Sequence, residues 1–132
     1  MVKKVFLSWD DVNELLDIIH EQAKDKAKYV TGIPRGGTLL AILYSHRFNV
    51  EYMKHISPHY NSLLVLDDIA DSGITIKESR DRYPEAIYAT LHYKDTSVSK
   101  PDYYGIRIPD NYGWIVYPWE RKDSETIQDY LA

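Results

Sequence analysis

Short apolar runs alternate with amphipathic segments along most of the 132 residues of this chain. Apolar residues at helical spacing follow Ser8, which predicts an amphipathic helix with Ser8 as its N-cap. Those apolar residues are Val12, Leu15, Leu16, Ile19 and Ala23. Residues 63–66 are uniformly apolar and predict a central strand that is buried on both faces.

The same pattern predicts the other elements of a mixed fold. Further strands are predicted at residues 28–33, 51–56, 86–91 and 103–108, and a short apolar segment lies at 114–116. Further helices are predicted at 38–47, 74–83 and 124–131. Strands that alternate with helices indicate an α/β fold with a mostly parallel, twisted sheet flanked by helices. The length predicts a single domain over residues 1–132.

Composition and charge exclude several classes of protein. Hydrophobic residues make up 44% of the chain and charged residues 27%, which is typical of a globular protein and argues against disorder. No apolar run approaches a membrane span, and the N-terminus does not read as a signal peptide. The absence of cysteine excludes disulfides and thiolate chemistry. We therefore expect a cytoplasmic protein.

The charge distribution also limits the partners. The net charge is −4 and no Lys/Arg stripe is visible, so nucleic acid and anionic membranes are disfavoured as partners. An anionic ligand must then be held by local groups. In parallel α/β sheets ligands bind beyond the carboxyl ends of the strands, here at the turns of residues 32–38 and 67–75. Four of the six glycines lie in these turns, at Gly32, Gly36, Gly37 and Gly73.

The second of these turns carries the most chemical information. Asp67 and Asp68 follow the buried strand, and Asp71 comes three residues later. Carboxylates suit the hydroxyls of a sugar or a hard cation such as Mg²⁺. A solvated surface turn is the alternative interpretation, but three carboxylates within five positions repel one another and are costly as structure alone.

The residues after the carboxylates suit an anion. Backbone N–H groups at the start of a helix lack intrahelical acceptors and can converge on a phosphate. Here those groups belong to Ser72, Gly73, Ile74 and Thr75, and the two hydroxyls can add donors. A helix cap at Ser72 is the alternative. Carboxylates beside an anion cradle predict a site for a phosphorylated sugar.

This stretch resembles the phosphoribosyl-pyrophosphate (PRPP) motif of the type I phosphoribosyltransferases. Residues 32–37, Gly-Ile-Pro-Arg-Gly-Gly, are similar to the pyrophosphate loop of that family. Residues 91–94 and 114–120, together with Ser-Trp-Asp near the N-terminus, resemble the bacterial xanthine–guanine branch. The resemblance covers nearly the whole chain. It implies the type I fold, with a small hood built from the C-terminal segment.

The resemblance implies roles in PRPP binding. Asp67 and Asp68 match the acidic pair that contacts the ribose hydroxyls directly or through Mg²⁺, and residues 72–75 match the phosphate cradle, with Ser72 in place of the more usual Thr. Arg35 and Gly36 match the pyrophosphate loop, where a guanidinium can clamp two phosphate oxygens; the alternative for Arg35 is a solvated loop residue. This loop often contains a cis non-proline peptide in the family, and we expect it at Pro34–Arg35.

The resemblance also implies how a base is bound. Asp71 matches the general acid/base beside purine N7, although it can equally serve as a helix cap. Lys94 matches the lysine that donates to a 6-oxo group; a surface lysine is the alternative. Trp114 matches a residue that stacks on the purine, or else it is a core aromatic. The Ile115 carbonyl matches an acceptor for a guanine amino group.

The implied activity is that of a Mg²⁺-dependent transferase in purine salvage. It would convert PRPP and a 6-oxopurine (guanine, xanthine or hypoxanthine) into a nucleoside 5′-monophosphate and pyrophosphate, as a homodimer or homotetramer. The long flexible loop of the family is reduced here to residues 56–62. A slow enzyme, a cover supplied by another segment or subunit, and binding without catalysis all remain open. The alternative function is therefore a non-catalytic PRPP- or nucleotide-binding regulatory protein.

Overall fold

A computed structural model describes residues 3–57 and 61–122. The strands are β1 Lys4–Phe6, β2 Tyr29–Gly32, β3 Glu51–Tyr52, β4 Leu63–Ala70, β5 Ile87–Lys94, β6 Tyr103–Ile108 and β7 Trp114–Val116. The helices are α1 Trp9–Ala23, α2 Gly36–Phe48 and α3 Ile74–Arg82, with a single 3₁₀ turn at Asp110–Tyr112. The helix expected at residues 124–131 lies outside the described residues.

A five-stranded sheet forms the centre of the fold. Its strand order is β3-β2-β4-β5-β6 and every pairing is parallel, which confirms the predicted α/β fold. Helices α1 and α2 cover one face, where Leu16, Leu40 and Leu66 are buried together. Helix α3 covers the opposite face through Ile76, which packs with Leu63. Both faces of β4 are thereby buried, as its apolar run predicts.

Local sequence signals account for where the first two helices begin. Ser8 caps α1 with a full capping box: its Oγ accepts from the Asp11 N–H at 3.0 Å, and Asp11 Oδ2 accepts from the Ser8 N–H at 2.9 Å. Helix α2 begins at Gly36, two residues earlier than expected. Gly32 and Gly37 touch there, because the place of a Cβ on Gly32 is already occupied by the Gly37 carbonyl. Any larger residue at Gly32 would separate β2 from α2.

The expected bounds of three strands were wrong. Strand β4 continues through Asp67 and Asp68 to Ala70, because its parallel pairing with β5 persists to Ala70 opposite Tyr93. The two carboxylates therefore belong to the strand rather than to a turn. Strand β5 likewise extends to Lys94, whereas β3 is only two residues long. Continued ladder hydrogen bonds outweigh the polar character of these residues.

A separate two-stranded sheet lies beside the main one. Strand β1 pairs in parallel with β7, with Lys4 opposite Trp114 and Phe6 opposite Val116. We call β1, β7 and residues 117–120 the hood. The hood joins an N-terminal strand to the C-terminal segment expected to form it. None of the helices in the described parts of the chain has the length and apolar character needed to cross a membrane.

Candidate active site

A cavity lies where β4 and β5 end, and the hood forms part of its wall. Nine of the twelve residues predicted for the site line it: Asp67, Asp68, Asp71, Ser72, Gly73, Thr75, Lys94, Trp114 and Ile115. These residues come from three separate strands, the loop after β4 and the first turn of α3. The strand ends thus bring together the residues expected to contact phosphate, ribose and base, as the rule for parallel sheets predicts.

The remaining three residues lie next to this cavity without lining it. Ile74 and Gly36 are the first residues of α3 and α2. Arg35 is exposed at the N-terminal end of α2 and follows Pro34, which does line the cavity. The Pro34–Arg35 peptide is cis, as expected from the resemblance.

Asp68 lies against the start of α2. A Cβ placed on Gly36 would be 2.5 Å from Asp68 Oδ2, so the carboxylate occupies the space that a side chain would need. The other Asp68 oxygen, Oδ1, accepts from the Ile69 N–H at 2.8 Å, and Asp67 Oδ1 accepts from the Asp68 N–H at 2.9 Å. Gly36 therefore sets where the Asp68 carboxylate lies.

On the expectation that this site binds PRPP, Gly36→Ala should weaken that binding by roughly tenfold, the size of losing about one charge-assisted hydrogen bond. The new methyl group would displace the Asp68 carboxylate, whereas alanine itself favours the helix. Isothermal titration calorimetry with PRPP and Mg²⁺ measures the affinity, and thermal unfolding shows whether the fold is retained. An unchanged PRPP affinity in a folded variant would separate Asp68 from PRPP binding.

The loop between β4 and α3, which we expect to cradle an anion, leads directly into the first turn of α3. Gly73 is in the left-handed region at φ 85° and precedes the first turn of α3. The Ser72 Oγ accepts from the Ile74 N–H at 3.3 Å. The Ile74 amide is thus already partly occupied, and in this state the Ser72 hydroxyl acts as an acceptor toward the loop rather than as a free donor.

The connection between β5 and β6 holds this loop in place. The Val98 N–H donates to the Ser72 carbonyl at 2.8 Å, and the Ser97 hydroxyl lies 2.6 Å from the Asp71 carbonyl. A Cβ on Gly73 would be 2.8 Å from the Val98 nitrogen. Glycine is therefore required at position 73 both by its φ angle and by this close approach.

Asp71 and Lys94 form an ion pair inside the cavity. Lys94 Nζ lies 2.9 Å from Asp71 Oδ1, and the two side chains are only 14% and 21% exposed. Lys94 is the last residue of β5 and Asp71 directly follows the neighbouring strand β4. Parallel strand ends thus place an ammonium donor and a carboxylate acceptor side by side. The alternative interpretation of Lys94 as a surface lysine is wrong.

The hood contributes Trp114 and Ile115 to the wall of the cavity. Trp114 is partly exposed, and its backbone N–H donates to the Lys3 carbonyl at 2.7 Å, so pairing with the N-terminal strand fixes its position. Its indole Nε1 is buried without a hydrogen-bond partner among the described residues. Ile115, which follows it, is 5% exposed and packs in the core.

Tyr117 and Glu120 are among the lining residues to which the sequence reasoning assigned no role. Glu120 Oε1 accepts from the Tyr117 backbone N–H at 2.8 Å. The Tyr117 hydroxyl lies 2.9 Å from His92 Nδ1 and 3.1 Å from the Asp68 carbonyl oxygen. The signal that pointed to this stretch was the Trp-Ile-x-x-Pro-Trp pattern of residues 114–119, in which Tyr117 is an unspecified position.

The acidic residues at the end of β4 suit a hard cation. Asp67 and Asp68 supply carboxylate oxygens on adjacent positions, and the described residues hold no group of three or more metal-ligating side chains. Mg²⁺ is commonly held by one or two carboxylates, with waters and substrate phosphates as its other ligands. The residues present therefore fit Mg²⁺ that arrives with a phosphorylated substrate.

The five-stranded parallel sheet, its flanking helices and the cavity at the strand ends together make up the type I phosphoribosyltransferase fold. The purine phosphoribosyltransferase of Pyrococcus horikoshii superposes with a TM-score of 0.73 at 22% identity, over 95% of this chain and 98% of that one. A hypothetical protein from Neisseria gonorrhoeae with bound ppGpp superposes with a TM-score of 0.74 at 20% identity, over 93% and 92%.

In sequence, the chain is similar to the xanthine-guanine phosphoribosyltransferase of Cereibacter sphaeroides. The two are 26% identical over an alignment 147 positions long, which covers 89% of this chain and 87% of that protein. The resemblance expected from the motifs is thereby confirmed. No family model matches the chain.

Proposed function

We propose that this protein transfers the 5-phosphoribosyl group of PRPP to a 6-oxopurine, giving a nucleoside 5′-monophosphate and pyrophosphate. Its similarity to purine phosphoribosyltransferases in sequence and in fold supports phosphoribosyl transfer to a purine. The finer assignment to 6-oxopurines, and a role in purine salvage in the cytoplasm as a homo-oligomer, are our proposals.

The ion pair of Asp71 and Lys94 is the observation that carries the choice of base. In a 6-oxopurine, O6 and N7 are neighbouring atoms on one edge of the ring. A base with a proton on N7 presents an acceptor beside a donor. Lys94 Nζ and Asp71 Oδ1, 2.9 Å apart, present the complementary donor and acceptor. The base can therefore bind to both side chains without separating the pair, which avoids leaving either charge unpaired.

The reaction needs one bond to break, one to form and one proton to move. The C1′–O bond of PRPP breaks and pyrophosphate leaves with the bonding electron pair, while the N9 lone pair forms the bond to C1′. The proton on N7 passes to Asp71, which Lys94 keeps in place. Proton transfer by such a positioned carboxylate is general base catalysis.

The other predicted site residues hold PRPP during this step. Asp67 and Asp68 orient the ribose hydroxyls, and the loop of residues 72–75 cradles the 5′-phosphate at the start of α3. Arg35, at the N-terminal end of α2, binds the diphosphate in this proposal, because a guanidinium can hold two phosphate oxygens at once. Mg²⁺, when bound by Asp67 and Asp68, supplies charge neutralisation for the leaving diphosphate.

The test of this function is pyrophosphate release from PRPP and Mg²⁺ with guanine, xanthine, hypoxanthine or adenine. We expect each active 6-oxopurine to exceed adenine in kcat/KM by at least roughly tenfold. Adenine places an amino donor opposite the Lys94 ammonium, and an unpaired buried donor costs about 1–3 kcal/mol, where about 1.4 kcal/mol is tenfold. Adenine as the best substrate would contradict the role of Lys94.

Two variants separate the parts of the base site. Lys94→Ala is expected to reduce use of 6-oxopurines and narrow their advantage over adenine, with PRPP affinity retained. Trp114→Ala serves as the matched control, because loss of stacking weakens all purines alike and leaves their ranking unchanged. A Lys94→Ala protein that keeps the wild-type ranking would show that the ranking has another source.

The alternative function is a regulatory protein that binds PRPP or a nucleotide without catalysis. The Neisseria protein of the same fold was solved with ppGpp, so the fold alone does not separate the two functions. The ion pair of Asp71 with Lys94 favours the enzyme, because a binding protein has no need for a proton acceptor at N7. Binding of PRPP without pyrophosphate release for any of the four bases would instead support the regulatory function.

A further inference from the structure

Tyr117 is a buried tyrosine whose hydroxyl joins three parts of the molecule. The residue is 3% exposed, and its ring stacks on Trp119 at a centroid distance of 4.9 Å and an angle of 7°. Its hydroxyl contacts His92 Nδ1 at 2.9 Å and the Asp68 carbonyl oxygen at 3.1 Å. His92 itself is 2% exposed. The hydroxyl therefore connects the hood to both β4 and β5 within the buried interior.

The chemistry of the three groups determines which is the donor and which the acceptor in each of these two hydrogen bonds. The Asp68 carbonyl can only accept, so it takes the single proton of the Tyr117 hydroxyl. His92 Nδ1 must then be the donor to the hydroxyl oxygen. Burial lowers the pKa of His92 to about 4, so the ring is neutral near pH 7, and its role as donor in this bond places the proton on Nδ1.

The two hydrogen bonds of the Tyr117 hydroxyl link elements that carry residues from both halves of the cavity, the base half and the ribose half. Tyr117 directly follows β7, which carries Trp114, and its backbone is also held by Glu120. His92 precedes Lys94 by two residues on β5. Asp68, whose carbonyl accepts the hydroxyl proton, lies on β4 with its carboxylate against Gly36. The base half of the cavity is thus bonded to the ribose half.

We propose that Tyr117 is a positioning residue. Through its hydroxyl it sets the distance between the base, which binds to the hood and β5, and the ribose, which binds to β4. The inference rests on the proposed function, because it concerns the approach of N9 to C1′ in that reaction. Small errors in such an approach reduce turnover strongly while each substrate still binds. Tyr117 touches neither reacting atom in this role.

Tyr117→Phe tests the proposal, because it keeps the ring that stacks on Trp119 and removes only the hydroxyl. We expect kcat to fall by about tenfold or more, with KM for guanine and for PRPP changed by less than about twofold, since an interaction felt mainly in the transition state alters kcat rather than KM. Tyr44→Phe is the matched control: the Tyr44 hydroxyl also bonds a histidine, His20 Nδ1 at 2.7 Å, and Tyr44 does not line the cavity.

The outcomes separate this proposal from others. A rise in guanine KM with unchanged kcat overturns it, because the defect would then lie in the base pocket. A fall in kcat that Tyr44→Phe reproduces also overturns it, because general loss of stability would account for it. Wild-type protein that releases no pyrophosphate overturns the proposed function on which the inference rests, whereas active wild type with fully active Tyr117→Phe overturns the inference alone.

His92 tests the same contact from its other side. His92→Asn keeps an N–H donor near the place of Nδ1, whereas His92→Leu does not. We expect His92→Asn to retain the higher kcat of the two, and thermal unfolding measures their stabilities independently. Equal kcat values in two folded variants would overturn the proposal, since the hydroxyl would then act without its donor.

Discussion

Asp71→Asn is expected to lower turnover by about 10²–10⁴-fold, the usual contribution of a general acid or base. The amide keeps the size of the side chain and a hydrogen-bonding oxygen, but it cannot take the proton from purine N7. Lys94 loses its charged partner, which lies 2.9 Å away in the native protein. Pyrophosphate release at saturating guanine and PRPP measures the effect directly, and PRPP affinity is expected to stay nearly unchanged.

A second aspartate provides the control for lost charge. Asp81 pairs with Lys77 at 3.0 Å on the exposed side of α3, where both side chains are more than half exposed. Asp81→Asn also removes one ion pair, but Asp81 does not line the cavity that contains Asp71. Such exposed pairs contribute little to stability. We expect full turnover from it. Equal turnover in Asp71→Asn and wild type would remove Asp71 from the mechanism.

The second large effect concerns stability in acid and has its origin in His92. Burial lowers its pKa in the folded protein to about 4, below the ordinary value of 6.5. Above pH 6.5 the ring is neutral in both states and contributes no pH dependence. As the pH falls from 6.5 toward 4, only the unfolded chain binds the proton, so the free energy of unfolding decreases. The loss is about 2 kcal/mol at pH 5 and about 3 kcal/mol near pH 4, at about 1.4 kcal/mol per pH unit.

Urea unfolding of wild type and His92→Phe at pH 7, 6 and 5 isolates this contribution. Other titrating groups, including His20, are present in both proteins and cancel in the difference between them. The difference in the free energy of unfolding should shrink toward lower pH, because only wild type loses stability through His92. A difference that stays constant across this range would show that His92 is protonated equally in both states.

Local features of the fold were predictable from sequence because neighbouring residues determine them. Ser8 caps α1, as the apolar pattern after it predicted, and Asp11 completes a capping box with it. The apolar run at the start of β4 predicted a central strand, and the structure places it between β2 and β5. The cis peptide at Pro34–Arg35 followed from the resemblance of one short loop.

Features that depend on pairing between distant residues were not predictable in this way. The extension of β4 through Asp67 and Asp68 depends on its ladder with β5, which composition does not show. The resemblance implied separate roles for Asp71 and Lys94, but their ion pair depends on two strands ending side by side. No histidine was assigned a role, and the contact of His92 with Tyr117 spans 25 residues of sequence.

The pairing of β1 with β7 has a consequence for the order of folding. Lys4 and Trp114 are 110 positions apart, so the chain between them must be nearly complete before these two strands can pair. Closing so long a segment is entropically costly, and a two-stranded sheet of three residues per strand has little stability of its own. The central sheet can form without it, whereas the hood requires the central sheet to dock on. Trp114, which lies on β7, is therefore expected to reach its final position among the last residues of the fold.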